Sequence, residues 1–168
     1  MEAWGLGTFM VSAGLFATVF EYPGSPVHQA IPDPVVRRVL IGLAMGLTAI
    51  AIIYSPWGKR SGAHLNPATT LTFYSLGKVA VWDAVFYVLA QFAGGALGVL
   101  LVIVLLNSAF TTAPVSYVAT VPGPNGAAIA FAGEFVISLG MMLMVLFATN
   151  RERLARQTGV FAGILVAT

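Results

Sequence analysis

Long apolar segments alternate with short polar or proline-rich segments along this chain. Residues 3–20 contain no charged residue, and their length suffices for one membrane-spanning helix. Apolar segments of similar or greater length follow at residues 39–57, 84–106 and 126–149. A fifth occupies residues 158–168 and is too short to cross a bilayer. The pattern predicts an all-α membrane protein with four spans and the beginning of a fifth.

The segments between these spans have the composition of loops. Residues 21–34 contain four prolines and one glycine. Residues 107–125 carry no charge but contain three prolines and clustered threonine and serine, and residues 150–157 are polar with three arginines. Such clusters favour turns and irregular backbone, so we predict connections between spans at all three places.

Residues 55–77 lie between the second and third spans and are polar in a part of the chain that is otherwise apolar. Asn66 is a suitable N-cap, and Pro67 suits a first helical turn because the N–H that it lacks would be unpaired there. We predict a short helix over residues 67–76, about 15 Å long or half a bilayer. Gly77 would end this helix, and Lys78 would complement its dipole.

A loop that enters the bilayer and begins a helix at its tip places a helix N-terminus at mid-membrane. This arrangement is suited to a small polar solute, which meets backbone N–H groups and the positive end of the helix dipole. Residues 55–77 therefore predict a channel or a transporter.

The composition agrees with a membrane protein and excludes several other classes. The chain has 168 residues, of which 58% are hydrophobic and 8% are charged, and its mean hydropathy is +0.90. It contains no cysteine, which removes disulfides, thiol catalysis and thiolate metal sites. The formal net charge is +2, and the basic residues lie in the loops, so nothing indicates nucleic-acid binding. No catalytic triad, metal cluster, cofactor loop or signal peptide is evident, so we expect neither an enzyme nor a bound cofactor.

The positions of the basic residues predict the orientation in the cell membrane. With the N-terminus in the cytoplasm, two arginines lie outside, Arg37 and Arg38. The other six basic residues then lie inside, where cytoplasmic loops carry an excess of positive charge. They are Lys59, Arg60, Lys78, Arg151, Arg153 and Arg156.

A faint internal repeat relates the first and fourth spans. Glu2 and Glu134 both lie near the beginning of a span, and Phe-Ala-Thr closes both. Gly42-x-x-x-Gly46 in the second span has a counterpart in Gly159-x-x-x-Gly163 in the fifth. Because three spans separate the two copies, the second copy is inverted. We predict a single transmembrane domain over residues 1–168, with a first repeat over 1–126 and the beginning of a second over 127–168. Inverted repeats place their working site at mid-membrane.

Two motifs and the paired glutamates resemble the aquaporin family, the major intrinsic proteins. Ser61-Gly62-x-His64-x-Asn66-Pro67-Ala68-x-Thr70 resembles the first Asn-Pro-Ala loop of that family almost position by position. Ala90-Gln91-x-x-Gly94-Gly95-x-x-Gly98 resembles its third helix. Glu2 and Glu134 fall where the family has a buried glutamate in helices one and four.

This resemblance implies an inverted-repeat bundle of six helices with two half-helices, usually assembled as a homotetramer in the lipid bilayer. It implies passive flow of water or small uncharged solutes such as glycerol. Asn66, Pro67 and Ala68 would form the tip, with the Asn66 amide donating to the solute. Backbone carbonyls would line the cytoplasmic half of the pore, and Glu2 and Glu134 would accept hydrogen bonds from loop backbone. The lining carbonyls would be those of Gly62, Ala63, His64 and Leu65.

Other features depart from the family pattern. A second Asn-Pro-Ala loop and the arginine of the narrowest point are absent, so we expect a truncated sequence that covers about the first two-thirds of the fold. By resemblance, Met45 and Val166 take two positions of the selectivity ring. An apolar ring of this kind would be wider than that of a strict water channel, so selectivity for water alone is not predicted.

Alternatives remain open at this point. The protein could be a non-conducting structural member of the same fold, or a secondary transporter with inverted repeats and Glu134 as its coupling site. His64 could be a solvated loop residue and Glu2 an exposed terminal one. The paired glycines most simply permit close packing of helices.

Overall fold

The computed structural model describes residues 1–124 and 126–167, and within them every regular element is helical. Four helices are long and apolar enough to cross a membrane. They are α1 (Glu2–Glu21), α3 (Pro34–Tyr54), α6 (Val81–Leu106) and α8 (Ala127–Thr149). The protein is therefore an integral, multi-pass membrane protein, as the apolar pattern predicted.

Shorter helices connect or follow these spans. They are α2 (Pro26–Ala30), α4 (Pro56–Ser61), α5 (Pro67–Ser75), α7 (Ser108–Thr111), α9 (Glu152–Ala155) and α10 (Thr158–Ala167), with one 3₁₀ turn at Ser116–Val118. Helix α10 is the predicted fifth segment, and the last residue of that prediction, Thr168, lies outside the described residues. The predicted loop over 107–125 ends at Asn125, which also lies outside them.

Helix α3 begins and ends earlier than the apolar pattern predicted. The Asp33 side chain accepts hydrogen bonds from the backbone N–H groups of Val35 and Val36, at 2.7 and 3.3 Å, and Pro34 occupies the first turn. At the other end, Ser55 leaves the helix and caps α4, where its Oγ accepts from the Gly58 N–H at 2.9 Å. The predicted boundaries of 39 and 57 were wrong because these two caps set the ends of the helix.

Helices α1 and α6 pack closely through small residues. A Cβ atom on Gly98 would lie 2.5 Å from the Gly7 carbonyl oxygen, and one on Gly7 would lie 2.9 Å from that of Gly94. Gly94 itself lies against the Ala3 backbone. The prediction that these glycines allow close packing is confirmed. Because the two backbones approach closely, Glu2 at the beginning of α1 lies beside the middle of α6.

Helices α3 and α10 pack through the glycines of the predicted repeat. A Cβ atom on Gly46 would contact Gly163 and Ala167, and one on Gly163 would contact Gly46 and Ile50. The offset in sequence from 46 to 163 is the same as that from 50 to 167, so the contact is reciprocal. Reciprocal contacts of this kind are what a two-fold relation between two copies produces.

Among the four long apolar helices, α8 is the least buried. It contacts α9 and α10, and Ala148 is the buried residue in its length. The apolar core of the described residues lies instead where α1 and α6 meet the segment after α6. Val102 and Phe110 are almost fully buried there, against Ala17 and Val115.

Candidate functional site

The chain turns back between α4 and α5, and this turn carries the predicted site. Gly62 ends α4 in the left-handed region with φ +83°, and its N–H donates to the Gly58 carbonyl at 2.9 Å. Ala63 and Leu65 also have positive φ values, +46° and +52°. Residues with a Cβ rarely adopt this conformation and require contacts that hold them in it.

Glu2 supplies those contacts. The residue is 2% exposed, and its carboxylate accepts hydrogen bonds from the backbone N–H groups of His64, at 3.2 Å, and Leu65, at 2.8 Å. In a trans peptide the carbonyl points opposite to the N–H of the next residue. The carbonyl oxygens of Ala63 and His64 are therefore directed away from Glu2.

Asn66 lies at the tip of the turn and caps α5. Its Oδ1 accepts from the Ala68 N–H at 2.8 Å, and Pro67 occupies the first helical position. Because Oδ1 is used by the cap, the amide N–H groups point away from the helix, and the residue is exposed. Gly62 and Ala68 are exposed as well, while Ala63, His64 and Leu65 are half-buried.

Helix α5 ends as the sequence predicted. Gly77 has φ +69°, its N–H donates to the Tyr74 carbonyl at 2.9 Å, and the Lys78 N–H donates to that of Phe73 at 2.9 Å. This pair of bonds is the Schellman arrangement, which favours glycine at that position. The helix has nine residues and is about 14 Å long, close to half a bilayer.

Three polar residues that the sequence analysis did not assign complete the site. Gln91, in the middle of α6, is fully buried, and its Nε2 donates to Glu2 Oε2 at 2.8 Å and to Thr70 Oγ1 at 3.0 Å. Thr70 also lies 3.0 Å from His64 Nδ1. The Tyr87 hydroxyl donates to the Ser61 carbonyl at 3.0 Å. A polar residue in an otherwise apolar span requires a buried partner. This requirement could have indicated from the sequence that Gln91 belongs to the site.

The His64 ring has a defined position. It stacks on Phe73 and meets the edge of Tyr87, with ring centroids 5.3 Å apart in both pairs. Its Nδ1 faces the buried Thr70 hydroxyl. The alternative of a freely solvated loop histidine is not the arrangement in the structure.

The remaining predicted residues lie on other helices. Met45 is 8% exposed on α3, and Val166 is half-buried on α10, which packs against α3. Glu134 is exposed on α8, which differs from the expected burial. Among the described elements α8 packs mainly against α9 and α10, and its buried residue is Ala148, far along the helix from Glu134. The role predicted for Glu134 stays a prediction.

These features define a helical membrane protein with a re-entrant half-helix whose capping asparagine is exposed at the tip. Comparison with known families agrees with that class. The model of the family described as Major intrinsic protein matches residues 3–168. The chain therefore belongs to the major intrinsic protein family.

Individual relatives support the assignment. The chain is 36% identical to the probable aquaporin AqpM of Archaeoglobus fulgidus over 127 residues, 75% of this chain and 50% of that protein. It is 29% identical to aquaporin Z of Photorhabdus laumondii, over 83% of this chain and 63% of that protein. It is 34% identical to aquaporin NIP3-1 of Arabidopsis thaliana, over 96% of this chain and 47% of that protein. The chain spans about half to two-thirds of the length of these curated relatives.

Proposed function

We propose that the protein is a passive membrane channel for water and small uncharged solutes such as glycerol, and that it excludes ions and protons. The observation that carries the proposal is the exposed Asn66 cap at the tip of α5, preceded by carbonyl groups directed away from Glu2. Membership of the major intrinsic protein family and the names of the aquaporin relatives support it.

The polar groups of the turn suit a neutral solute that both donates and accepts hydrogen bonds. The Asn66 amide offers N–H donors, and the carbonyl groups of residues 62–65 offer acceptors. A solute that leaves bulk water needs such replacements at each step, along walls that otherwise bind it weakly. Asparagine fits this role because a charged side chain at mid-membrane costs roughly 3 kcal/mol on insertion scales.

Electrostatics of the half-helix would act against cations. A helix N-terminus carries about +0.5 of an elementary charge. At ~4 Å and an effective dielectric constant of ~20, that charge repels a monovalent cation by about 2 kcal/mol. Loss of the hydration shell costs a further several kcal/mol. Desolvation is therefore the larger barrier, and the dipole reinforces it.

Several further assignments belong to the same proposal. We place the protein in the cell membrane with its N-terminus in the cytoplasm, on the charge distribution of the loops. We assign Met45 and Val166 to the selectivity ring. We expect Glu134 to accept backbone N–H groups of a second re-entrant loop, and four copies to assemble as a homotetramer.

Stopped-flow light scattering on proteoliposomes that contain the complete protein tests this function. Fast shrinkage in sucrose with a weak temperature dependence would support a channel, and re-swelling in glycerol would support a solute facilitator. Shrinkage at the rate of empty liposomes would count against conduction and favour a structural role. Flux that saturates and follows a proton gradient would favour a transporter.

A further inference from the structure

The buried hydroxyl of Thr70 has three hydrogen-bond partners. His64 Nδ1 and Gln91 Nε2 each lie 3.0 Å from Oγ1, and the Asn66 carbonyl oxygen lies 3.3 Å from it. Thr70 and Gln91 are both fully buried, so water does not compete for these bonds. The Asn66 carbonyl oxygen also accepts the helical bond from the Thr70 N–H, at 3.1 Å. Only one position of the hydroxyl hydrogen allows all three contacts of Oγ1 to be hydrogen bonds.

A hydroxyl group has one hydrogen to donate and two lone pairs that accept. The Asn66 carbonyl can only accept, so it takes the hydroxyl hydrogen. The Gln91 amide nitrogen can only donate, so it occupies one lone pair. The second lone pair then receives a hydrogen from His64 Nδ1. All three bonds form together in this one arrangement.

The orientation of the Gln91 amide is fixed by Glu2. Gln91 Nε2 lies 2.8 Å from Glu2 Oε2, and the two Glu2 oxygens already accept from the backbone N–H groups of His64 and Leu65. A reversed amide would bring its oxygen against the carboxylate. Gln91 Oε1 is buried without a hydrogen-bond partner among the described residues, as expected if the two bonds of the nitrogen decide the orientation.

The opposite edge of the His64 ring faces the open side of the turn. Its Nε2 would lie 3.6 Å from a Cβ atom on Gly62, and Gly62 is exposed. Phe73 and Tyr87 limit rotation of the ring. The ring is half-buried between two aromatic rings, and such surroundings favour the neutral imidazole over the charged one. In a neutral ring whose Nδ1 carries the hydrogen, Nε2 has a bare lone pair.

We propose that Thr70 and Gln91 are positioning residues that hold His64 in the Nδ1–H tautomer, so that Nε2 presents a hydrogen-bond acceptor to the permeating solute. The inference rests on the proposed channel function. The acceptor lies two residues before the Asn66 donor. A solute that passes both must donate an O–H or N–H and accept in turn, as water and neutral polyols do. Their O–H donors meet Nε2 and their oxygen lone pairs meet Asn66.

Solid-state nitrogen NMR on the complete protein in lipid bilayers tests this, with ¹⁵N-labelled histidine. The His64 signals are those lost in a His64→Asn variant. The expected wild-type spectrum has a protonated Nδ1 and an unprotonated Nε2. A protonated Nε2, alone or with Nδ1, would overturn the proposal without any further variant.

Two substitutions at Thr70 test its positioning role. Thr70→Val keeps the shape and removes the hydroxyl, and it should lower the ratio of Nδ1–H to Nε2–H by about tenfold, the effect of losing one hydrogen bond. Thr70→Ser keeps the hydroxyl and should keep the wild-type ratio. If Thr70 has a merely structural role, the ratio will be unchanged in both variants. That result would refute the positioning role of Thr70.

Osmotic flux measured on the same vesicles separates this inference from the proposed function. An Nδ1–H signal together with flux that falls in Thr70→Val and persists in Thr70→Ser would support both. Flux together with an Nε2–H signal would keep the channel and overturn the tautomer. An Nδ1–H signal without flux in the wild-type protein would refute the use of this acceptor in conduction.

Discussion

The carboxylate of Glu2 accepts a hydrogen bond from the backbone N–H of Leu65 at 2.8 Å, across 63 positions of the chain. Leu65 has φ +52°, a conformation that costs a residue with a Cβ roughly 1–2 kcal/mol. The first turn of α1 therefore holds the re-entrant turn in a shape that the turn would not adopt alone.

Replacement of Glu2 by glutamine should destabilise the protein. An amide offers one acceptor oxygen where the carboxylate offers two, so at least one of the bonds from His64, Leu65 and Gln91 is lost. A buried hydrogen bond to a charged group contributes about 1.5–3 kcal/mol. The midpoint of thermal unfolding in detergent should fall. Glu152→Gln is the control, because Glu152 is exposed in α9. Equal midpoints in the two variants would argue against the role assigned to Glu2.

Asn66→Asp should impair selectivity while the helix cap is kept, because aspartate caps as well as asparagine does. The new charge attracts a monovalent cation by about 4 kcal/mol at ~4 Å and an effective dielectric constant of ~20, and this exceeds the repulsion by the helix dipole. Conductance of planar bilayers should reveal a cation leak, and osmotic water flux should fall. Asn150→Asp provides the same chemical change at an exposed position beside Lys78. Unchanged permeation in Asn66→Asp would contradict the pore assignment.

Neighbouring glycines of α6 should respond very differently to alanine. A Cβ atom on Gly94 would lie 2.5 Å from the Ala3 Cα and closer still to its carbonyl group, so the two helices would have to separate. Overpacking of this kind costs about 1–3 kcal/mol or more. On Gly95 the nearest atom would be Leu6 Cδ2 at 3.5 Å, an ordinary contact. Gly94→Ala should lower the yield of folded protein and its unfolding midpoint, whereas Gly95→Ala should be neutral. Similar losses in both would indicate that the close approach of α1 and α6 is unimportant.

Arg37→Lys should destabilise the connection between α1 and α3. The Arg37 guanidinium is buried and donates to the carbonyl oxygens of Ile31 and Pro32, each at 2.9 Å, and to the Glu21 carboxylate at 3.2 Å. A lysine ammonium does not reproduce this forked geometry. We expect a loss of about 2 kcal/mol, measured by chemical unfolding. The adjacent Arg38 is exposed, so Arg38→Lys should have no effect. A neutral Arg37→Lys would show that the buried bonds contribute little.

The apolar ring assigned to Met45 and Val166 should pass glycerol. Proteoliposomes of the wild-type complete protein should re-swell in glycerol, and Met45→Phe should slow glycerol more than water, because a larger ring narrows the opening. Leu43→Phe is the matched control on α3, since Leu43 is 51% exposed. Water flux without glycerol flux in the wild-type protein would contradict the wide ring.

The sequence located the half-helix closely, because its ends depend on local chemistry. Asn66 and Pro67 act on the first turn of α5, and Gly77 acts on its last turn. The helix runs from Pro67 to Ser75, and the prediction was 67–76. The second span was predicted less well. Its apolar pattern continues past the cap at Ser55. Because Arg37 and Arg38 are charged, the predicted span began after them, although α3 begins at the Asp33 cap.

Long-range polar partners were outside the reach of sequence patterns. The sequence motif around Gln91 indicated no partner for its side chain, although Gln91 joins Glu2 to Thr70. Glu134 was expected to be buried because it falls where the family has a buried glutamate, but burial depends on which element covers α8.

The membrane class, the number and approximate positions of the spans and the capped half-helix follow from the amino-acid sequence alone, because hydrophobic length and helix capping are properties of neighbouring residues. The tertiary structure was needed to show that the side chains of Glu2, Gln91, Thr70 and His64 form one hydrogen-bonded group. Their contacts depend on how closely α1 and α6 approach through Gly7, Gly94 and Gly98, and that distance is set by the packing of two backbones far apart in sequence.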